Sequence, residues 1–297
     1  MTRDDTLVSV VIPTHYRNDR LADAVDSVTA QTHDAVELIV VDDSGAANAR
    51  PVVPDWATYV AFNENRGANA ARTAGIERAS GEYVQLLDDD DRLRPERLRR
   101  CVELLSGAED VGVCYSGMSY DGGRSVDPQA DVRGDVLPSA LAFEMLPCLT
   151  STMLIERGLL DEVVPLVDRP GGDDLGLMIE LATRTQFDYV DAVLVDRGRP
   201  PQSRGRSLGV VEGRKQIVAD YPDLYAAHPE ARAIALASTY MFEAQLRLDH
   251  TRWSPHAIGA LARSLWYDPS YKTAIWLCVS LLGFSRRQCL DWFGWLR

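Results

Sequence analysis

The strongest constraint on this chain of 297 residues is a rhythm. Short apolar, β-branched runs recur between segments of helical period, and two of the runs stop at blocks of aspartate. Residues 7–12 form the first run, closed by Pro13, which predicts a buried strand. Leu21, Ala24, Val25 and Val28 then fall at i, i+3, i+4, i+7, one face of a helix. Residues 36–41 predict a second strand, ending directly in Asp42-Asp43-Ser44-Gly45, and residues 59–62 a third, weaker one. Residues 68–79 have helical composition and stop at Ser80-Gly81. Residues 83–87 predict a fourth strand, running into Asp88-Asp89-Asp90-Asp91. Pro95 opens a helix through Leu105, with Glu96 near its positive end.

Residues 111–115 predict a fifth strand, 121–134 a loop, 148–155 another strand and 175–182 a helix. Residues 197–208, with paired prolines and four arginines, read as an exposed loop, and everything from Val211 onward reads as helix. Strands alternating with helices across short loops indicate an α/β domain with a mostly parallel sheet. In such sheets ligands bind at the carboxyl ends of the strands. Both aspartate blocks sit at that edge. We expect a catalytic α/β domain over residues 1–208 and a helical region over 209–297.

The charge balance narrows the function. A net charge of −13 and a pI near 4.8 disfavour nucleic acid as a partner, because that needs a basic face to displace counterions. Lys215 and Lys272 are the only lysines. An acidic, lysine-poor surface suits a cytoplasm of very high salt, so a haloarchaeal source is expected. The five cysteines are scattered and lack C-x-x-C spacing, which argues for a reducing compartment without a disulfide framework or zinc site. The first six residues are polar and charged, unlike a signal peptide, so a cytoplasmic location is expected.

A block of four carboxylates at a strand end repels itself unless something positive offsets it or the loop is fully solvated. Oxygen-rich sites of this kind suit Mg²⁺ or Mn²⁺, ions that keep part of their coordination shell for substrate phosphates. A soluble turn on an acidic protein is the plainer alternative. Asp42-Asp43, at the end of another strand of the same sheet, would put a second acidic patch on one cleft, although Asp-Ser-Gly alone is a common turn.

The ordered set is more specific than either block. Pro13-Thr14-x-x-Arg17, Val40-Val41-Asp42-Asp43-Ser44, Asn65-x-Gly67-x-x-x-Ala71-Arg72, Gly81-Glu82-Tyr83 and Leu87-Asp88-x-Asp90-Asp91 follow one another. This succession resembles the family 2 glycosyltransferases, of GT-A fold, over roughly residues 7 to 200. The resemblance implies an inverting transfer from a nucleoside-diphosphate sugar, with UDP as the first candidate nucleotide. It implies that Thr14 and Asp43 hold the nucleoside base. Arg66 and Arg72 would lie near the diphosphate, though each is equally readable as a helix-surface arginine. Asp88, the first acid of the D-x-D motif, would lie near the ribose and donor sugar; Asp90 would bind the metal, with Asp91 beside it.

Inversion also needs a base to take the acceptor hydroxyl proton. In the family this is the Asp of a Glu-Asp pair opening a helix some 85 residues after the D-x-D. Here Gly171-Gly172-Asp173-Asp174-Leu175-x-Leu177 stands there, making Asp174 the candidate base. Helix capping is the alternative reading of an Asp in that position. The chain departs from the family at His15-Tyr16, where Tyr-Asn is frequent, and in lacking a His near Arg197-Gly198-Arg199. Arg197, Arg199 or Arg204 would have to close on the diphosphate instead.

Residues 251–297 carry six basic residues against two acids, and five of the six tryptophans: Trp253, Trp266, Trp276, Trp292 and Trp295. The uncharged stretch 273–284 is too short to span a bilayer, which takes about 20 apolar residues. It suits peripheral contact, with tryptophans at headgroup depth and arginines on anionic lipid. That points to a saccharide or lipid-linked acceptor, such as a dolichol-phosphate-bound sugar chain in archaeal protein N-glycosylation, used at the inner face of the membrane. A helical cap packed on the catalytic domain is the alternative. Two other functions compete. A sugar-phosphate nucleotidyltransferase would want a Gly-rich loop after the first strand, and residues 14–20 hold no glycine. A non-catalytic nucleotide-sugar-binding subunit would tolerate Asp174→Asn.

Overall fold

The computed structural model describes residues 6–120, 123–198, 207–249, 251 and 253–283. The chain divides into two compact units. One comprises Met1–Leu137, Met145–Asp168 and Gly176–Gln202, the other Pro138–Glu144, Arg169–Leu175 and Ser203–Arg297.

The first unit opens with β1 (Val8–Thr14), α1 (Asn18–Thr29), β2 (Val36–Asp42), β3 (Thr58–Ala61), α2 (Ala68–Ile76) and β4 (Tyr83–Leu86). β1 runs two residues past the end read from its sequence, through Pro13. It pairs with β2 as far as Thr14↔Asp42, whereas its pairing with β4 stops at Val11↔Leu86. Val11 accepts from Leu87 N–H and Thr14 from Asp43 N–H, so the N–H that Pro13 lacks would face the β4 side, beyond the last paired residue. No ladder bond is lost there. β1 is buried along its whole length, and Leu21, Ala24, Val25 and Val28 of α1 cover it as the spacing predicts. Burying a side chain such as Leu21 stabilises the fold by about 1.5–3 kcal/mol.

The chain continues through β5 (Asp91–Leu93), α3 (Arg97–Leu105), β6 (Val111–Tyr120), β7 (Ser125–Val126), α4 (Leu137–Leu141), β8 (Met153–Glu156), α5 (Arg157–Val163), α6 (Asp173–Ala182) and β9 (Gln186–Arg197). The sheet order is β3-β2-β1-β4-β8-β6-β9-β5, with β7 paired to β6. From β3 to β4 every pairing is parallel. Beyond β4 the sheet is mixed: β8 is antiparallel to both β4 and β6, β6 is parallel to β9, and β5 is antiparallel to β9. The strand expected over 148–155 shrinks to β8, preceded by a 3₁₀ turn at Thr150–Thr152. β9 has no counterpart in the sequence reading.

The second unit contains α7 (Leu208–Asp220), α8 (Pro222–Ala227), α9 (Pro229–Leu248), α10 (Pro255–Tyr267) and α11 (Tyr271–Leu281). A proline in the first turn starts α8, α9 and α10, where its missing N–H costs nothing. Ala244, Leu248, Ala257, Leu261 and Trp276 share a core. Trp276 is therefore inside, unlike Trp253 and Trp266, which are 54% and 84% exposed. Trp292, Trp295, Phe284, Arg286 and Arg287 lie outside the described residues. Among the described residues no helix is long and apolar enough to cross a membrane.

Candidate active site

Three parallel strands deliver the acidic residues. β2 and β4 flank β1, so their carboxyl ends stand two strand spacings apart, roughly 10 Å. Thr14, at the end of β1, spans that gap. Its carbonyl accepts from the Asp43 N–H at 2.9 Å, and its hydroxyl donates to Asp89 Oδ2 at 2.8 Å. The two aspartate blocks thus meet through one residue.

The members of the first block do different work. Asp42 is fully buried and accepts from Ser44 N–H, Ala49 N–H and the Tyr59 hydroxyl at 2.7–2.8 Å. Burial pushes its carboxyl up, but these bonds outweigh it and leave the pKa lowered. Asp42 therefore holds its loop. Asp43 also points at backbone: Oδ1 accepts from Arg66 N–H at 2.6 Å and Oδ2 from Gly67 N–H at 2.9 Å. Gly67 has φ +91°, a backbone that side chains rarely adopt, and this bend turns its N–H toward the carboxylate. Each Asp43 oxygen keeps a second lone pair. His15 Nδ1 lies 3.0 Å from the Asp43 carbonyl, and the Tyr16 hydroxyl donates to the Ser44 carbonyl, so both residues face the loop of the first block.

In the second block the repulsion is met by guanidinium groups. Arg72 donates to Asp88 at 2.6 Å, Arg17 to Asp89 at 3.0 Å, and Arg197 lies 3.4 Å from Asp91. Asp90 is the least well matched, with Arg20 at 3.8 Å and Arg17 at 3.9 Å. Burial opposes the charge of Asp88, yet Arg72, Arg197 and Arg17 bring its pKa below the usual carboxylate range. Asp90 moves the other way, raised first by burial and then by the neighbouring Asp88. Asp91 is 1% exposed, and burial pushes it up to about 7 against the pull of Arg197. Its Oδ1 accepts from Gly198 N–H, at the point where β5 pairs with β9. A Cβ on Gly198 would overlap the Asp90 carbonyl oxygen, so only glycine lets β9 approach this closely.

The expected site residues are brought together unequally. Thr14, Asp43, Asp88, Asp89 and Asp90 cluster at the ends of β1, β2 and β4. Arg72, expected at the diphosphate, donates to Asp88, and Arg66 stacks its guanidinium over Phe62 at 4.6 Å. Asp91, expected beside the metal, is turned into the β5–β9 junction. Asp89, not singled out in the sequence, bonds both Thr14 and Arg17. A divalent cation would find a hard-oxygen donor at Asp90, whose nearest guanidinium groups stand 3.8–3.9 Å away, with Asp88 as the neighbouring carboxylate. Among the described residues no set of three His, Cys, Asp or Glu side chains converges on a metal position, so such an ion would draw its remaining ligands from water and phosphate.

Asp174 lies in the first turn of α6, in the stretch of chain assigned to the second unit. Its neighbour Asp173 accepts from Arg169 N–H at 2.7 Å and closes the preceding turn. Arg199 and Arg204, candidates for a closing loop, lie outside the described residues.

Comparison with known proteins bears on this arrangement. The family model described as glycosyl transferase family 2 matches residues 9–163, a little over half of the chain. The succinoglycan biosynthesis protein ExoO of Rhizobium meliloti is 39% identical over 197 residues, covering 62% of this chain and 53% of that protein. The chain spans about half the length of the first curated relatives it matches. Among solved structures, residues 1–349 of S. aureus TarS in complex with UDP-GlcNAc superpose with a TM-score of 0.66 at 17% identity, covering 91% of this chain and 83% of that one. The mannosyltransferase PcManGT of Pyrobaculum calidifontis, in complex with GDP-Man and Mn²⁺, gives 0.61 at 19% identity, covering 93% and 80%. These likenesses show a GT-A-like α/β fold.

Proposed function

The chain belongs to glycosyl transferase family 2, and from that premise we propose that it moves a sugar, with inversion, from a nucleoside-diphosphate donor to an acceptor hydroxyl. The observation that carries this reading is the meeting of two aspartate blocks through Thr14, with Asp90 left without a close guanidinium. That both solved relatives named above hold nucleotide sugars, and one of them Mn²⁺, supports the same donor class here. UDP is the first nucleotide to test.

In the proposed reaction the acceptor oxygen attacks the anomeric carbon as the bond to the diphosphate breaks, and Asp174 takes the hydroxyl proton. Thr14 and Asp43 bind the nucleoside side of the donor, Asp88 the ribose and sugar side, and Arg66 the diphosphate. Arg72 acts by holding Asp88 rather than by touching substrate. Asp90, with Asp88, would hold Mg²⁺ or Mn²⁺, an ion that would supply positive charge to offset that of the departing diphosphate. Asp91 keeps β5 on β9 and so fixes the backbone of Asp90.

An acceptor presented at a membrane surface, as a lipid-linked saccharide would be in polysaccharide assembly or protein N-glycosylation, accords with the basic, tryptophan-rich end of the chain. It accords as well with exposed Trp253, Trp266, Leu281 and Leu282. The relative whose name places it in succinoglycan biosynthesis supports a saccharide acceptor.

The test is a panel of nucleoside-diphosphate sugars assayed for turnover in high salt, with and without divalent metal, beside Asp90→Ala and Asp174→Asn. We expect Asp174→Asn to lower kcat by about 10²–10⁴ while donor binding persists. Turnover that survives that substitution unchanged would return the chain to a nucleotide-sugar-binding role.

A further inference from the structure

The second unit contains a cation with no counter-charge among the described residues. Arg214 of α7 lies between two rings: its guanidinium carbon is 5.6 Å from the centroid of Phe143, just after α4, and 5.4 Å from that of Phe242 on α9. Among the described residues no carboxylate stands within ion-pair distance of it and no acceptor receives its N–H groups; its Nε is buried without a partner there. Neighbouring charges are committed elsewhere: Lys215 contacts Glu212 and Glu243, and Arg247 binds Glu243. Burial alone lowers the Arg214 pKa, with no acid opposing it, although a guanidinium stays charged at neutral pH.

Phe143 reaches this position through strain. Its φ is +62°, a left-handed conformation that costs a bulky residue on the order of 1–2 kcal/mol. The backbone is held there by Phe143 N–H donating to Ala140 and Glu144 N–H to Ser139. A chain of net charge −13 with 44 acidic side chains could easily have placed a carboxylate beside this arginine. It placed two aromatic rings instead, which desolvate the guanidinium partly and leave its hydrogen-bonding capacity without an acceptor among the described residues.

We infer that Arg214, clamped by Phe143 and Phe242, is an oxyanion-binding site for a phosphate or carboxylate group. Aromatic clamping fixes the plane of the fork, which is the geometry such groups need for two parallel N–H···O bonds. The site is composed wholly of residues of the second unit, away from the aspartate blocks in sequence. If the transferase reading holds, the natural source of such an oxyanion is a charged acceptor; the binding itself does not depend on that reading.

The experiment follows the Nε–Hε proton of Arg214 by ¹H–¹⁵N correlation in the full chain with ¹⁵N-labelled arginine. Arg214→Gln identifies the signal by its loss, and Phe143→Leu identifies it independently by the lost ring-current shift should the first variant fold poorly. Inorganic phosphate, dimethyl phosphate and glucuronate are titrated against equal ionic strengths of chloride. They separate a free phosphate, a diester as in a polymer or lipid headgroup, and a sugar acid. We expect a saturable shift with at least one of them, and an affinity weakened about tenfold in Phe242→Leu, which keeps the arginine but removes half of the clamp. A signal that moves no more than with chloride for all three would overturn the inference. So would equal affinity in the clamp variant. Because the readout requires no turnover, failure here leaves the donor reading untouched, and failure of donor turnover leaves this result standing.

Discussion

Arg72 offers the sharpest test of how the acidic block is stabilised. It is buried on α2 and donates to Asp88 at 2.6 Å, while the Asp88 side chain is 25% exposed. Arg72→Met keeps the packed stem but leaves a carboxylate among three others without its closest cation. Removing one partner of a fully buried pair costs about 3–5 kcal/mol. Arg197 and Arg17 still act on Asp88 and water reaches it, so we expect about 2–3 kcal/mol here. Asp88→Asn alone should cost about 1.5–3 kcal/mol, the value of a hydrogen bond to a charged group. The double variant Arg72→Met/Asp88→Asn removes the pair together, and its loss should fall short of the sum by about 1.5 kcal/mol. Urea unfolding of the four proteins at pH 7 measures this directly. Coupling below about 0.5 kcal/mol, together with a raised donor KM in Arg72→Met, would refute the bracing role and favour a direct contact of Arg72 with the diphosphate.

Three further outcomes are expected. Asp42→Asn should destabilise the fold at pH 7 by about 1.5–3 kcal/mol. Because the folded pKa of Asp42 lies below the usual value, its contribution is complete above about pH 5 and is lost as the pH falls through the folded value. The variant should therefore show a shallower acid limb in urea midpoints taken from pH 3 to 7. Gly198→Ala should cost about 2–3 kcal/mol, read as a lowered melting temperature, because the new Cβ meets backbone rather than a yielding side chain; an unchanged Tm refutes the close approach. Chelation should weaken nucleotide-sugar binding at least tenfold while leaving the Tm almost unmoved, because arginines rather than a metal already balance the carboxylates; a collapse of the Tm would show the opposite.

The first half of the sheet was legible because its strands are single-phase. Val8 to Ile12 and Val36 to Val41 are apolar runs interrupted once each, by Ser9 and Glu37, and parallel strands buried on both faces read as near-continuous apolar runs of this kind. β9 was not legible because it has no single period. Its buried residues fall in both phases, Phe187 and Val195 in one and Val190 and Leu194 in the other, and its register against β6 shifts on either side of Gly117. A bulge of that kind erases alternation. Gly117 also hid the second half of β6: it reads as a break, whereas its missing side chain admits the carbonyls of Val126 and Ala192.

At the site, the identity of the strand-end acids was readable and their division of labour was not. Which carboxylate turns inward depends on arginines 16 to 106 residues away in sequence, from Arg72 with Asp88 to Arg197 with Asp91. No local pattern encodes such pairs. Asp89 was overlooked for the same reason: its importance comes from Thr14 and Arg17, both more than 70 residues earlier.

The near-neutrality of this partly buried block has a consequence for the medium in which the protein can work. Exposed pairs such as Arg50–Asp55, at 51% and 101% side-chain exposure, fade as the Debye length shrinks to about 3 Å at molar ionic strength. Arg72–Asp88 and Arg197–Asp91 are partly buried and so are screened less. The outer skin of the molecule can thus remodel its charge to suit a dilute or a briny solvent while the geometry at the strand tips stays the same.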